Sequence, residues 1–205
     1  MAAFEKFGID DTALNQSLPS GSTYVNAYAS LHENFLGAAR GHKLRVLELW
    51  HGHSGYPVVL AHLGHKVTAV DPLALRDELK KCESVQWHRM NQPENIRPQN
   101  RFDAVIIRFM QWKGHDVGSV VKKIDGVTRP GGFHLQEFQH DSNAKKFEAE
   151  YALLGYSVQR MKNERNPRLP LLLARKPAAW SKAAGWLKTL IGGHGTPTQS
   201  KKRKT

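Results

Sequence analysis

The sequence predicts an α/β fold: a doubly wound, mostly parallel sheet that ends in an antiparallel pair of strands. Three observations predict it. Between residues 43 and 138, strand-length apolar runs alternate with stretches of helical periodicity, the pattern of parallel strands joined by crossover helices and covered on both faces. The first run leads through a small-residue turn, His51-Gly52-His53-Ser54-Gly55, directly into an apolar helical stretch. The last two strand-like runs, 155–163 and 169–176, are separated by Glu164-Arg165-Asn166-Pro167-Arg168 alone, too short for a crossover, so they pair antiparallel.

Each element follows in order. Tyr24, Val25, Tyr28, Leu31, Phe35 and Leu36 recur at helical spacing within 22–39, and Gly41 closes that helix. Residues 43–50 form the first strand and 56–64 the helix after it. Lys66–Asp71 is a β-branched second strand, 73–81 a helix, and 84–90 a third strand. After a polar loop come strand 102–109, helix Val117–Val127, strand 131–138 and helix 144–155. Beyond Pro177, the apolar stripe Trp180, Ala183, Ala184, Leu187, Leu190 and Ile191 predicts an amphipathic helix, docked on the domain or offered to a partner or membrane surface. Residues 1–42 are thus an N-terminal helical segment, 43–176 the sheet domain, and 177–205 an amphipathic helix with a basic tail.

Composition bounds the function classes. The 205 residues carry 30 Lys and Arg against 18 Asp and Glu, and 40% are apolar, which excludes a wholly disordered, collagen-like or disulfide-dense chain. Cys82 is the single cysteine, so neither an internal disulfide nor a cysteine zinc cluster can form, as suits a reducing compartment. Glu5, Lys6 and Asp10 fall where a signal peptide needs its apolar run, and the apolar stretch 169–174 is too short to cross a bilayer. The expected location is the cytoplasm, or the nucleus of a cell that has one, with no transmembrane segment. Charge is uneven: 161–205 hold 11 Lys and Arg and one acid, Glu164, leaving 19 basic and 17 acidic residues in 1–160. The basic end reads first as a solubilising tail; its Lys201-Lys202-Arg203-Lys204 run also fits a nuclear-import patch or a nucleic-acid-contacting arm.

In an open α/β sheet, ligands bind beyond the carboxyl ends of the strands. Gly52, Ser54 and Gly55 give the first such turn the small residues that a close backbone approach needs. Asp71 ends the second strand, where a carboxylate can accept both hydroxyls of a ribose. Together they suggest an adenosine-containing ligand.

From Val46 to Asp71 the sequence VLELWHGHSGYPVVLAHLGHKVTAVD resembles the first motif of the class I S-adenosylmethionine-dependent methyltransferases: an acid before a glycine-rich turn, a helix, and a strand ending in an acid. FDAVIIRFM is similar to the fourth-strand segment of that Rossmann-like family, VTRPGGFHLQEF to its turn into the fifth strand, and the closing strand runs to its terminal antiparallel pair. The resemblance implies S-adenosylmethionine as cofactor and methyl transfer as the activity. It places Glu48, Gly52 and Ser54 beside the methionine part, Asp71 on the ribose, Asn91 on the adenine amine, Met90 on the adenine face, and Arg108 near the sulfonium. Trp50 stands at the family's first glycine position, lining the pocket or closing it.

Rival readings remain. Trp50, Gly52 and Gly55 occupy the glycine positions of a dinucleotide fingerprint, so an NAD-dependent oxidoreductase is an alternative. Ser54 brushes a nucleophile-elbow pattern but reads as a small turn residue. His62 and His65 share a helix face without acidic or cysteine companions, so no metal is expected. His115 and Glu137, beyond the fourth and fifth strands, are the candidate bases, with His140 near them. The acceptor favoured is a small molecule, with nucleic acid reached through the basic tail as a further partner. The second function class is a catalytically silent, methyltransferase-like binding module in which Trp50 fills the cofactor site.

Overall fold

The structure is a computed structural model that describes residues 23–50, 55–71, 83–89, 101–108, 116–163 and 167–178. In chain order these form α1 (Thr23–Ala39), β1 (Arg45–Leu49), α2 (Tyr56–His62), β2 (Lys66–Asp71), β3 (Val85–Arg89), β4 (Phe102–Arg108), α3 (Val117–Val127), β5 (Thr128–Glu137), α4 (Asp141–Leu153), β6 (Ser157–Met161) and β7 (Leu171–Arg175). The strands make one seven-stranded sheet in the order β3-β2-β1-β4-β5-β7-β6. β1 to β5 are mutually parallel, and β7 lies antiparallel between β5 and β6. This is the predicted architecture, and the antiparallel insertion separates it from the all-parallel 3-2-1-4-5-6 order of dinucleotide-binding sheets.

Alternation along the strands decides which side chains meet which helices. Val46, Ala69, Ala104, Ile106, Phe133 and Leu135 pack with Leu31 and Phe35 of α1 and with Val59 and Leu60 of α2. Their neighbours Leu47, Leu49, Val105 and Ile107 pack on the other face with Val120 and Ile124 of α3 and Phe147 and Tyr151 of α4. Both faces are covered, which is why the strand sequences are almost continuously apolar. α3 opens on Asp116, whose carboxylate accepts the Ser119 backbone N–H at 2.8 Å, a helix N-cap.

Most boundaries shift by one or two residues, and two starts differ from expectation by three. β5 begins at Thr128 rather than 131, because Thr128 already pairs with Phe102 before the register shifts and Phe133 pairs with Ala104. The extra residues form a bulge. Gly131 there has φ +79°, and a side chain on Gly132 would meet the Asp103 carbonyl at 2.8 Å, so glycine is required at both. α4 starts at Asp141, three residues early, since extended His140 serves as N-cap and polar Asp141-Ser142-Asn143 makes the first turn. The predicted helices at 73–81 and beyond Pro177 lie outside the described residues.

The buried face of β5 carries a polar chain. The Thr128 hydroxyl donates to the Ile124 carbonyl at 2.6 Å, so it accepts from His134 Nε2 at 2.7 Å. His134 Nδ1 then accepts the Tyr151 hydroxyl at 2.8 Å, and Gln136 donates to that same hydroxyl oxygen. Every proton in this chain has one direction, which fixes His134 as the neutral Nε2–H tautomer. Burial lowers its pKa to about 3.

Candidate functional site at the carboxyl edge of the sheet

The parallel strands end together. Leu49 pairs with Val70 and Ile107, Asp71 with Arg89, and Arg108 with Glu137, so all five carboxyl ends meet at one edge. Alternation puts Glu48, Asp71, Arg108 and Glu137 on the same sheet face, each continuing an apolar row of the α1–α2 side. The core therefore changes from apolar to charged at this edge, and all four residues are buried.

Glu48 is the most unusual of them. It is fully buried, and neither carboxyl oxygen has a hydrogen-bond partner among the described residues. Burial pushes its pKa from an ordinary 4.5 up to about 8, opposed by attraction to Arg108 and reinforced by repulsion from Asp71. Burying an acid of this kind without a partner is costly. A cationic ligand group would let it ionise and pair.

Arg108 and Glu137, separate in the sequence reading, are one unit here. Arg108 Nε donates to Glu137 Oε2 at 3.1 Å with both side chains buried, and Asn163 Nδ2 donates to Glu137 Oε1 at 2.9 Å and to the Leu169 carbonyl at 3.2 Å. Both Glu137 oxygens are thus held by donors within the fold, so its carboxyl group is already engaged rather than turned toward a substrate. Asn163 is a site residue that sequence reasoning missed. Its only signal was position, two residues beyond the end of β6.

Trp50 follows β1 with φ +54°, the left-handed conformation that favours glycine. Its N–H donates to the Val70 carbonyl at 2.9 Å, and its half-buried ring packs against the apolar cluster containing Leu49 and Val70. The chain keeps the turn of a glycine with an indole attached. α2 then starts at Tyr56, whose hydroxyl meets His32 Nδ1 of α1 at 3.2 Å.

Two comparisons by sequence return nothing: no protein-family pattern matches the chain, and no curated protein is similar to it. Comparison with solved structures is decisive for the fold. A precorrin-6y C5,15-methyltransferase from Geobacter metallireducens superposes with a TM-score of 0.63 at 15% identity, covering 83% of this chain and 97% of that one. The 1,6-didemethyltoxoflavin N1-methyltransferase of Burkholderia thailandensis, with bound 1,6-didemethyltoxoflavin and S-adenosylhomocysteine, gives 0.59 at 17% identity over 86% and 91%. The N-methyltransferase NodS of Bradyrhizobium japonicum, in complex with S-adenosylhomocysteine, gives 0.55 at 14% over 86% and 100%. The chain has the class I methyltransferase fold. In this methyltransferase fold the terminal antiparallel strand pair and the helix that follows β1 are where the sequence predicts them.

Of the site residues that the sequence proposes, the structure gathers Glu48, Trp50, Asp71, Arg108 and Glu137 at one edge. Gly52, Ser54, Met90, Asn91 and His115 lie outside the described residues. His65 is engaged in the fold: its Nδ1 accepts the Leu44 N–H at 3.1 Å, and burial lowers its pKa. Among the described residues no group of three or more His, Cys, Asp or Glu is placed to hold a metal ion. No described helix is long and apolar enough to cross a membrane.

Proposed function

We propose that this chain is an S-adenosylmethionine-dependent methyltransferase acting on a small-molecule acceptor. The observation that carries the reading is Glu48: a buried, unpartnered carboxyl, beside Asp71, at the carboxyl edge of the first two strands. That donor set fits the cofactor, which offers an ammonium to an acid and a ribose diol to a carboxylate. Glu48 and Trp50 would hold the methionine part, Asp71 the ribose, and, by the resemblance, Gly52 and Ser54 the methionine part, with Met90 and Asn91 the adenine. When bound, the cofactor supplies an electrophilic methyl group on a sulfonium.

The chain's own contribution is positioning. Glu48 draws a cation into the edge, Asp71 fixes the diol, and the Arg108–Glu137–Asn163 unit holds the ends of β4 and β5 rigid against the end of β6. With Glu137 occupied by two donors, His115 is the better candidate where an acceptor must lose a proton. A cavity of about 610 Å³ flanks Asn163 and is lined by Met161, Lys162, Arg168, Leu169 and Pro170, the size of a small-molecule site. It supports a small-molecule acceptor, as do neighbours whose names specify such substrates.

Calorimetric titration with S-adenosylmethionine, S-adenosylhomocysteine and NAD, repeated with Asp71→Ala, tests the proposal. Binding of the first two, lost in the variant, is the expected result. Absence of binding would favour the silent module, with the indole of Trp50 closing the site; binding of NAD alone would favour the oxidoreductase.

A further inference from the structure

The two edges of the sheet differ in charge. Glu48, Asp71 and Glu137 stand against Arg89 and Arg108 where the parallel strands end. At the opposite edge, where those strands begin and β7 ends, Arg40, Arg45, Lys66, Arg101, Arg129 and Arg175 gather with Lys43 and Lys176. The acids facing them are Glu83, Asp103 and Asp125, and two of these are spent within the fold. Asp103 accepts the Arg45 N–H at 2.8 Å and pairs with Arg129 at 3.0 Å. Asp125 accepts the Tyr156 hydroxyl at 2.8 Å and pairs with Lys176 at 2.7 Å.

A cleft of about 550 Å³ opens in this edge between the end of α1 and the bulge of β5, lined by Arg40, His42, Asp103, Arg129, Gly132 and Arg175. Arg175 is held there with its guanidinium 5.6 Å over the Phe133 ring. Two of the carbonyls that end α1 are capped, Leu36 by the Arg40 N–H at 3.1 Å and Ala39 by the His42 N–H at 3.0 Å, which lessens their opposition to an anion. The chain also leaves the domain here, since the Gly131 N–H donates to the Pro177 carbonyl at 3.3 Å. Beyond Ala178 the sequence adds Lys182, Lys188, Lys201, Lys202, Arg203 and Lys204 and no acid.

We propose that this amino edge is a docking surface for the phosphodiester backbone of a single-stranded nucleic acid. A row of eight cations against three acids, two of them already paired within the fold, suits a polyanion rather than a single phosphate. Planar groups in the cleft, His42 and Arg175, can stack on unpaired bases, which a duplex does not present. The surface is independent of the cofactor edge and does not rest on the proposed methyltransferase activity.

The test is fluorescence anisotropy of the full chain with labelled oligouridine and oligodeoxythymidine of about twenty nucleotides, between about 50 and 200 mM salt. Three variants are compared: R40Q/R129Q/R175Q in the cleft, K201Q/K202Q/R203Q/K204Q in the tail, and K122Q/K123Q/K146Q on α3 and α4 as a net-charge control. Binding of either oligonucleotide is expected. The cleft variant should weaken it at least tenfold and reduce the salt slope by about 2, roughly 0.7 per lost contact, while the control changes it little. No binding, equal losses in the cleft and control variants, loss in the tail variant alone, or binding only to phosphatidylserine vesicles would each overturn the proposal. If the cleft variant loses its native circular dichroism, Arg40→Gln alone, on an exposed helix end, must show a smaller loss in the same direction.

Discussion

Replacing Glu48 with Gln probes the buried carboxyl at the centre of the site. The folded chain holds Glu48 protonated up to about pH 8, against an ordinary 4.5, because both oxygens are buried without a donor among the described residues. This is the reverse of the usual carboxylate. Folding takes up a proton between the two values, so the group's contribution is fully present below pH 4.5 and is lost as pH rises through about 8. At pH 7 the cost is roughly 3 kcal/mol, taking about 1.4 kcal/mol for each pH unit above the unfolded value, and above pH 8 it levels at roughly 5. Gln fills the same space with no proton to take up. Glu48→Gln should therefore match the native chain near pH 4.5 and exceed its stability by roughly 3 kcal/mol at pH 7. Urea unfolding of both proteins from pH 4.5 to 8.5, followed by circular dichroism, gives the two curves. A variant less stable by the same amount at every pH would refute the reasoning, since Glu48 would then be an ionised, partnered carboxylate.

Arg108→Met should cost about 3–5 kcal/mol by stranding the buried Glu137 carboxylate, and most of it should return in the Arg108→Met/Glu137→Met double variant; urea unfolding measures both. His134 should remain the neutral Nε2–H tautomer in ¹⁵N spectra down to about pH 4. Its folded pKa, about 3, lies below the ordinary 6.5, so its contribution is present above pH 6.5 and lost as pH falls toward 3. Tyr151→Phe, which removes the donor to His134, should cost about 1–3 kcal/mol, and an unchanged melting curve would contradict the directed chain. Gly132→Ala should cost about 1–3 kcal/mol through contact with the Asp103 backbone, whereas Gly126→Ala, in α3 with open space around it, should stabilise by up to about 1 kcal/mol.

Much of the fold was legible because it depends on local pattern. KVTAVD and VGSVVKKIDGV become β2 and α3 with their expected limits, since strand and helix periods differ and each run is bounded by polar or glycine residues. The terminal antiparallel pair followed from the short connection at 164–168. The start of β5 was misplaced because a bulge depends on pairing with Phe102, a contact that the local sequence of 128–132 does not announce. Within the site, Glu48 and Asp71 were legible from their places at strand ends. The protonation of Glu48 was not, because burial and the distance to Arg108 are properties of the assembled sheet. The union of Arg108, Glu137 and Asn163 joins three separate strand ends, and no spacing along the chain encodes it.

The most direct test of the account is amide hydrogen exchange with and without S-adenosylhomocysteine. Protection should appear in peptides spanning residues 46–56 and 66–72 and at the end of β4, and should vanish in Asp71→Ala. Unchanged exchange in those peptides, or protection confined to the opposite edge around Arg40 and Arg129, would contradict a cofactor site at the carboxyl ends of the strands.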